Sequence, residues 1–309
     1  MQQTIIEQTL ELEELDTGLL YRSKKLWKPT GFRAVFGGQV IGLALGAAMK
    51  TVESKYLVHS LHCYFLLPGD DSIQIVYKVD SMRTGRTYAT RNVTAFQRGK
   101  VIFAMMVSYA VPEITHLRFQ IQMPVVPGPN ELTSDEDRLR SLLLDPRASK
   151  FHKTIELRLQ QPIAIETKVV PITECNPPGE IPNKYFIWMK AKGTLPESMS
   201  VHQCVAAYCS DHQLLNTALV PFGLASRVGK KKVQVSLMTS LDHAIWFHEP
   251  FRADEWLLYQ MESDKSVSGR GFTLGKVWTQ DGKLVMSLAQ QGVIRAKTEN
   301  DKEVPLTKL

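Results

Sequence analysis

The sequence is poor in cysteine and has no long hydrophobic run. Its 309 residues include four cysteines, none of them in a Cys-x-x-Cys pair: Cys63, Cys175, Cys204 and Cys209. Isolated cysteines inside apolar stretches predict buried, reduced thiols and an intracellular protein, and they exclude a disulfide scaffold. The longest apolar runs, residues 40–49 and 101–111, fall well short of the ~18 residues that span a bilayer, so no membrane span is expected.

The motifs of several large enzyme classes are also missing. No Gly-x-Ser-x-Gly elbow marks a serine hydrolase, and no His/Cys spacing marks a metal site. Gly37-Gly38 and Gly42-x-x-x-Gly46 match neither the dinucleotide-binding spacing nor the P-loop spacing. We therefore expect no metal, no cofactor and no nucleotide chemistry.

The charge balance is mildly basic. Lysine and arginine number 37 against 31 acidic residues, a net charge of +6, with a local run at Lys230-Lys231-Lys232. No aromatic residues interleave with that run, so a nucleic-acid partner is not expected, and an anionic small-molecule substrate explains the excess equally well. The N-terminal segment soon turns acidic, at Glu11, Glu13 and Glu14, unlike a secretion or transit signal.

An internal repeat dominates the chain. The aligned positions are collinear: Pro68 with Pro250, Tyr64 with Trp246, Tyr77 with Tyr259, and Gly85-Arg86 with Gly269-Arg270. Each copy contains four strand-like runs separated by turn sequences, at residues 58–66, 73–80, 87–96 and 101–111, and again at 241–249, 255–263, 271–279 and 284–295. Such runs predict an antiparallel meander in each copy.

One helix precedes each meander. Apolar residues recur with helical spacing from Val40 to Ala48, and a comparable stripe lies within Ser198–Leu219. The sequence thus predicts an α+β fold with the same helix-plus-sheet unit twice. The expected boundaries are residues 1–115 for the first unit, a proline-rich linker at 116–160 with a helix capped at Thr133, and 161–309 for the second unit.

The two copies differ at positions that point to chemistry. Ser240 and Gln290 of the second copy align with the apolar Val58 and Val107 of the first. Asp211 lies three residues after Tyr208, on a helix face that should be buried, where a carboxylate is costly without a partner. These three polar residues together predict one active site per chain, on the second copy.

A serine triad within Ser240-Leu241-Asp242-His243 is rejected on geometry. Neighbouring residues of a strand point to opposite faces, so Asp242 and His243 cannot line up. The other strand histidines are expected to be structural, with His59 kept in reserve as a substrate-binding candidate.

Several stretches resemble the signatures of the type II acyl-CoA thioesterases, which have a double hot-dog fold. They are Arg33-Ala-Val-Phe-Gly-Gly-Gln-Val, Val58-His-Ser-Leu-His-Cys-Tyr-Phe, Ser240-Leu-Asp-His-Ala-Ile-Trp-Phe-His and Gln290-Gln-Gly-Val-Ile-Arg295. The resemblance implies hydrolysis of fatty acyl-CoA at Asp211, Ser240 and Gln290, and a homo-oligomer. Asp211 would accept a proton from a water that Ser240 and Gln290 aim, with backbone N–H groups at a helix N-terminus holding the oxyanion.

Less specific features of the sequence predict the residues that bind CoA and the location of the protein in the cell. Arg270 and Lys230–Lys232 are candidates for binding the CoA phosphates. The C-terminal Thr307-Lys308-Leu309 is similar to the peroxisomal address Ser-Lys-Leu, which predicts a peroxisomal matrix protein bound by the import receptor. The alternatives are a hot-dog enoyl-CoA hydratase or dehydratase, which would need a His–acid pair across the sheet, and a non-catalytic acyl-CoA binding protein.

Overall fold

Twelve strands pair into one antiparallel sheet in the part of the chain that the computed structural model describes, residues 3–16, 18–225 and 233–298. The strands are β1 Leu12–Asp16, β2 Leu20–Ser23, β3 Leu57–Phe65, β4 Val76–Thr84, β5 Tyr88–Gln97, β6 Lys100–Ala110, β7 Ile165–Val169, β8 Lys184–Ala191, β9 Val233–Phe247, β10 Leu257–Val267, β11 Arg270–Thr279 and β12 Leu284–Thr298. The helices are α1 Ile5–Thr9, α2 Gly37–Met49, α3 Asp135–Leu142, α4 His152–Gln160, α5 Ile172–Cys175 and α6 Met199–Ser210.

The strand order has approximate two-fold symmetry. It reads β1-β2-β4-β5-β6-β3 and continues as β9-β12-β11-β10-β8-β7, so the second half repeats the first half in reverse. The two halves meet where β3 pairs with β9. The predicted duplication and α+β class are therefore confirmed, as two hot-dog units joined edge to edge.

Each unit also has two strands before its helix, which the sequence reading missed. β1 is short and acidic, β2 has only 4 residues, and β7 begins soon after the linker, with β8 next along the chain. Neither pair shows the long alternating run that marks a strand, because these strands lie at or near the sheet edge. Their presence makes each unit six-stranded.

The long helices of the two units pack against each other inside the curved sheet. A methyl group added at Gly38 would lie 2.1 Å from the Tyr208 carbonyl oxygen, and one at Gly42 would lie 3.2 Å from the Cys204 carbonyl oxygen. Glycine at these positions lets the α2 backbone approach α6 closely. No described helix combines the length and the apolar character that crossing a membrane requires.

One predicted element boundary is wrong and another is narrowed. The second long helix lies inside the predicted window of residues 198–219 and ends at Ser210, because Gln213 adopts a left-handed backbone with φ of 64° and a 3-10 helix follows at Leu215–Phe222. Strand β9 begins at Val233, eight residues before the predicted start, because it continues to pair with β12. Asp211 is thus the C-cap of α6, and Ser240 lies inside a strand rather than at its start.

The segment between the units contains two helices. The side-chain oxygen of Ser134, one residue after the predicted Thr133, accepts the Asp137 N–H at 3.1 Å and caps α3. Asp135 of α3 accepts a hydrogen bond at 3.1 Å from Arg158 of α4, which was not foreseen. This helical pair lies beside β7 and covers part of the second unit.

Candidate active site

Three polar side chains that are distant in sequence meet at the end of α6. The Gln290 side-chain Nε2 donates to Asp211 Oδ1 at 2.8 Å and to Ser240 Oγ at 2.8 Å. Gln290 is fully buried, and Asp211 and Ser240 are partly exposed. The structure therefore brings together the three residues that the comparison of the two copies singled out.

Strand register explains why Ser240 and Gln290 face each other. Gln290 on β12 is directly opposite His243 on β9. A bulge at Leu241 then pairs Ser240 with Gly292, and this extra residue turns the Ser240 side chain to the same face as Gln290. The bulge therefore places two polar side chains, Ser240 and Gln290, on the same face of the β9–β12 pair.

The first unit contributes to this site as well. The Gly38 backbone N–H, at the N-terminus of α2, donates to Asp211 Oδ2 at 3.0 Å. A methyl group added at Gly37 would lie 2.7 Å from that same oxygen. The sequence reading missed this pair of glycines, although a Gly-Gly step that opens a helix is a signal for close approach to a backbone.

The Asp211 carboxyl is poised to exchange a proton near neutral pH. Burial raises its pKa from 3.8 to about 6, although the hydrogen bonds from Gln290 and from the Gly38 N–H oppose that rise. Above pH 6 the carboxylate is ionised and can accept a proton from a bound water. This is the ionisation behaviour that a general base requires.

The equivalent place in the first unit has no such cluster. Leu61 and Val107 form the cross-strand pair that corresponds to His243 and Gln290, and both are fully buried. Arg91, opposite Val107, is buried and donates two hydrogen bonds to Thr51, just after the end of α2. The structure is thus consistent with one site per chain.

The other sequence candidates lie elsewhere. His59 on β3 is 2.8 Å from Ser108 Oγ, in the first unit, and among the described residues no hydrogen bond joins it to Asp211, Ser240 or Gln290. Arg270 is exposed at the start of β11. Lys230, Lys231 and Lys232 fall outside the described residues. The roles expected for these residues stay predictions.

The local serine triad is absent from the described structure. His243 Nε2 lies 2.9 Å from Ser210 Oγ, whereas Asp242 Oδ1 accepts the Gln291 N–H at 3.2 Å. The two side chains point to opposite faces of β9, as expected. No described histidine forms a hydrogen bond or an ion pair with an Asp or Glu side chain, the arrangement that a hot-dog dehydratase would need.

A cleft runs from the end of α6 toward the helices of the linker. Residues from α3, α4, α6 and β7 line it, together with residues outside these elements, and its wall includes Trp27, Phe36, Leu139, Tyr208, Cys209 and His212. The rings of Phe36 and Tyr208 are 5.1 Å apart. Phe36 directly precedes Gly37 and His212 directly follows Asp211, so the cleft begins at the sequence neighbours of the site, although Asp211 itself does not line it.

Family models match both halves of the chain. A model described as acyl-CoA thioesterase matches residues 159–293, and one described as acyl-CoA thioesterase N-terminal domain matches residues 24–110. The two matches together include Gly38, Asp211, Ser240 and Gln290.

Individual relatives extend over nearly the whole chain. Acyl-coenzyme A thioesterase 8 of Rattus norvegicus is 40% identical over 96% of this chain and 91% of its own length. Peroxisomal acyl-coenzyme A thioester hydrolase 1 of Saccharomyces cerevisiae is 24% identical over 96% of both chains. The crystal structure of an acyl-CoA thioesterase II, TesB2, from Mycobacterium marinum superposes with a TM-score of 0.74 at 34% identity, covering 94% of this chain and 98% of that one.

Proposed function

Since the chain belongs to the type II acyl-CoA thioesterase family, we propose that Asp211, Ser240 and Gln290 activate the water that hydrolyses its acyl-CoA substrate. The activity itself, hydrolysis of acyl-CoA thioesters, follows from the family. The observation that carries the assignment of residues is the Gln290 amide, which donates to Asp211 and Ser240 through one nitrogen. That arrangement leaves a carboxylate and a hydroxyl side by side, both oriented by the same group.

In the proposed reaction Asp211 takes a proton from water as the water oxygen attacks the thioester carbonyl carbon. Ser240 hydrogen-bonds the water and aims it, and Gln290 contributes by holding Asp211 and Ser240 in place. The carbonyl oxygen gains negative charge, which the N-terminus of α2 stabilises. The Gly38 N–H is already bonded to Asp211, so the Gly37 N–H, which has no intrahelical acceptor, is the donor we assign to this oxyanion. The tetrahedral intermediate then releases the CoA thiolate and the free acid.

The test is release of free CoA thiol across a panel of acyl-CoA substrates. Asp211→Asn keeps the size of the side chain and removes the base, so we expect kcat to fall by about 10²- to 10⁴-fold while the protein stays folded. Full turnover by this variant would refute the assignment. Reaction in heavy-oxygen water separates this mechanism from direct attack by Asp211 through an anhydride, because only the anhydride places label in the Asp211 carboxyl.

We propose that the acyl chain lies in the cleft beside Asp211. Leu139, Ala164, Tyr208 and Cys209 are buried side chains of its wall, and an apolar wall suits an alkyl chain. Arg270 and Lys230–Lys232 remain our proposed partners for the CoA phosphates, on the ground of charge alone.

We also propose that the enzyme acts in the peroxisome matrix, on fatty acyl-CoA. The C-terminal Thr307-Lys308-Leu309, which lies outside the described residues, supports this proposal, and one yeast relative is named as peroxisomal. A fluorescent protein fused to the N-terminus, with the native C-terminus free, should enter peroxisomes. Removal of Leu309 should leave the fusion in the cytosol, and a cytosolic location of the intact fusion would contradict the proposal.

Finally, we propose that the chain forms a homo-oligomer. Tyr64, Met106 and Trp246 expose 60%, 51% and 37% of their surface on the outer face of the sheet, close to the β3–β9 junction. This apolar patch straddles the approximate two-fold axis that relates the units. A patch with that symmetry suits an isologous contact with a second copy.

A further inference from the structure

Two buried polar atoms beside the candidate site form no hydrogen bond of normal geometry with the described residues. They are Nδ1 of His243 and Oε1 of Gln290. The two residues are directly opposite each other on β9 and β12. Side chains in such a pair have Cβ atoms about 5 Å apart, which is within reach of a contact between their polar ends. Buried atoms of this kind are costly when each stays unpaired.

The hydroxyl of Ser210 decides which nitrogen of His243 carries the proton. Ser210 Oγ lies 2.8 Å from the Ala207 carbonyl oxygen and 2.9 Å from His243 Nε2. If the hydroxyl donates to Ala207, His243 must be protonated on Nε2, and its bare Nδ1 then faces Gln290 Oε1, acceptor against acceptor. If the hydroxyl donates to His243 Nε2, the proton is on Nδ1. Only the second arrangement gives both orphaned atoms a partner.

We infer that His243 donates its Nδ1–H to Gln290 Oε1 and thereby holds the Gln290 amide with Nε2 toward Asp211 and Ser240. His243 is then a positioning residue for the thioesterase reaction, acting through Gln290 and touching no substrate. The inference rests on the proposed function of Asp211, Ser240 and Gln290. It extends the site by a chain of contacts from Ser210 through His243 to Gln290.

The amide needs such a support at one stage of the reaction. While Asp211 is ionised, its carboxylate itself keeps the Gln290 Nε2 in place, because a flipped amide would direct Oε1 against Oδ1. Once Asp211 has taken the proton from water, it can donate to an oxygen, and the flipped amide becomes competitive. The His243 Nδ1–H, fixed beside Oε1, removes that alternative. Asp211 and Ser240 therefore keep the Gln290 Nε2 as their hydrogen-bond donor.

The titratable groups around Asp211 do not change their charge near pH 6, so the pH dependence of the rate there should reflect Asp211. Cys63 on β3 and Tyr259 on β10 face it, and burial raises the pKa of both well above the ordinary values, so both stay neutral around pH 7. Burial lowers the pKa of His243 to about 3, and Asp242 points to the other face of β9. Helix α2 carries no titratable side chain and contributes only backbone N–H groups to the site. The acidic limb of the rate profile is therefore expected to report Asp211.

A pair of substitutions separates the two nitrogens of His243. In His243→Asn the side-chain amide nitrogen takes the place of Nδ1 and can still donate to Gln290. In His243→Gln the amide nitrogen takes the place of Nε2 and meets Ser210 instead. We expect His243→Asn to keep kcat within a few-fold of the wild type and His243→Gln to lower it about 10- to 100-fold with little change in KM.

The pH profile provides a readout that a packing defect would not move. Gln290 lowers the Asp211 pKa by donating to it, so a displaced amide should move the acidic limb of kcat above pH 6 in His243→Gln and leave it near 6 in His243→Asn. In a Gln290→Ala background the two His243 variants should behave alike. Equal losses in both variants of the wild-type background, or an unmoved limb in His243→Gln, would overturn the inference.

A measurement on the unmodified enzyme covers the case in which a variant fails to fold. The ¹⁵N chemical shifts of the histidine rings distinguish the two neutral tautomers, and the His243→Asn spectrum identifies the signals of His243. Protonation on Nδ1 is the expected result, and protonation on Nε2 would overturn the inference. The proposed function would still stand in that case, because its own failure shows separately, as full turnover by Asp211→Asn.

Discussion

At the scale of single residues, the Gln290 amide is the centre of the site. One nitrogen with two hydrogens serves both a carboxylate and a hydroxyl, so the positions of Asp211 and Ser240 depend on each other. Burial makes the carboxylate costly, and the donors from Gln290 and Gly38 offset only part of that cost. The result is a pKa of about 6, which couples the site to pH.

Turnover should therefore rise with pH through about 6. The pKa of Asp211 is raised above its ordinary 3.8, so the carboxyl is protonated below pH 6 and cannot act as a base there. We expect kcat to follow a single ionisation near pH 6 on its acidic side, measured by thiol release at saturating substrate. Full activity at pH 4.5 would contradict this assignment.

Replacing Gln290 by glutamate should move that ionisation. Gln290→Glu removes the donor and adds a second carboxyl beside Asp211, and like charges that share a site raise the pKa of one of them. The acidic limb should rise by about one pH unit or more, with kcat at pH 7 reduced at least about 10²-fold. Gln260→Glu adds the same charge on β10, where Gln260 accepts from Trp278, and should leave the limb in place.

At the scale of elements, the close packing of α2 on α6 joins the two units and carries the Gly38 N–H to Asp211. The glycines of α2 differ in the room around them. A methyl group at Gly38 would lie 2.1 Å from the Tyr208 backbone oxygen, whereas one at Gly46 would lie 3.5 Å from Leu12 and 3.8 Å from Cys204 Sγ. The former distance is a clash with backbone, and the latter distances are ordinary contacts.

Substitution of these glycines should have opposite effects on stability. Gly38→Ala must force the helices apart and should lower the free energy of unfolding by at least ~1–3 kcal/mol, together with activity. Gly46→Ala should be neutral or stabilising by up to about 1 kcal/mol, because alanine is favoured in helices. Urea denaturation of both variants measures the difference. Equal stabilities would show that the helices are not held at this distance by Gly38.

A second prediction at this scale concerns the linker helix α3, which forms one wall of the proposed acyl cleft. Leu139→Trp fills the cleft and should reduce turnover of long-chain acyl-CoA more than that of short-chain acyl-CoA. Leu144→Trp is the matched control, because Leu144 is 85% exposed and does not line the cleft. The ratio of kcat/KM between the two substrates is the measurement. An equal loss for all chain lengths would argue against an acyl chain in this cleft.

At the scale of the whole molecule, the edge-to-edge sheet leaves an apolar outer face at its centre. Met106→Glu places a charge in that patch and should shift the assembly toward the 34.9 kDa monomer in light scattering. Ile181→Glu changes a still more exposed side chain, 76% accessible, away from the patch and should leave the mass unchanged. A wild-type protein that is already monomeric would contradict the proposed homo-oligomer.

The duplicated architecture and the three site candidates could be predicted from the amino-acid sequence. Turn residues and alternating apolar runs are local signals, so they located eight strands. The contrast of Val58 and Val107 with Ser240 and Gln290 needs only an alignment of the chain with itself. The resemblance to the thioesterases then gave the activity, which the comparisons support.

How these parts meet depends on contacts between residues that are distant in sequence. Gly38 and Asp211 are 173 residues apart, and their contact depends on the packing of α2 on α6, which no local pattern encodes. The bulge at Leu241 likewise follows from the pairing of β9 with β12, and the orientation of the Gln290 amide follows from contacts with side chains that are distant in sequence. Long-range contacts fix these features because they balance burial, hydrogen bonding and backbone strain across both units at once.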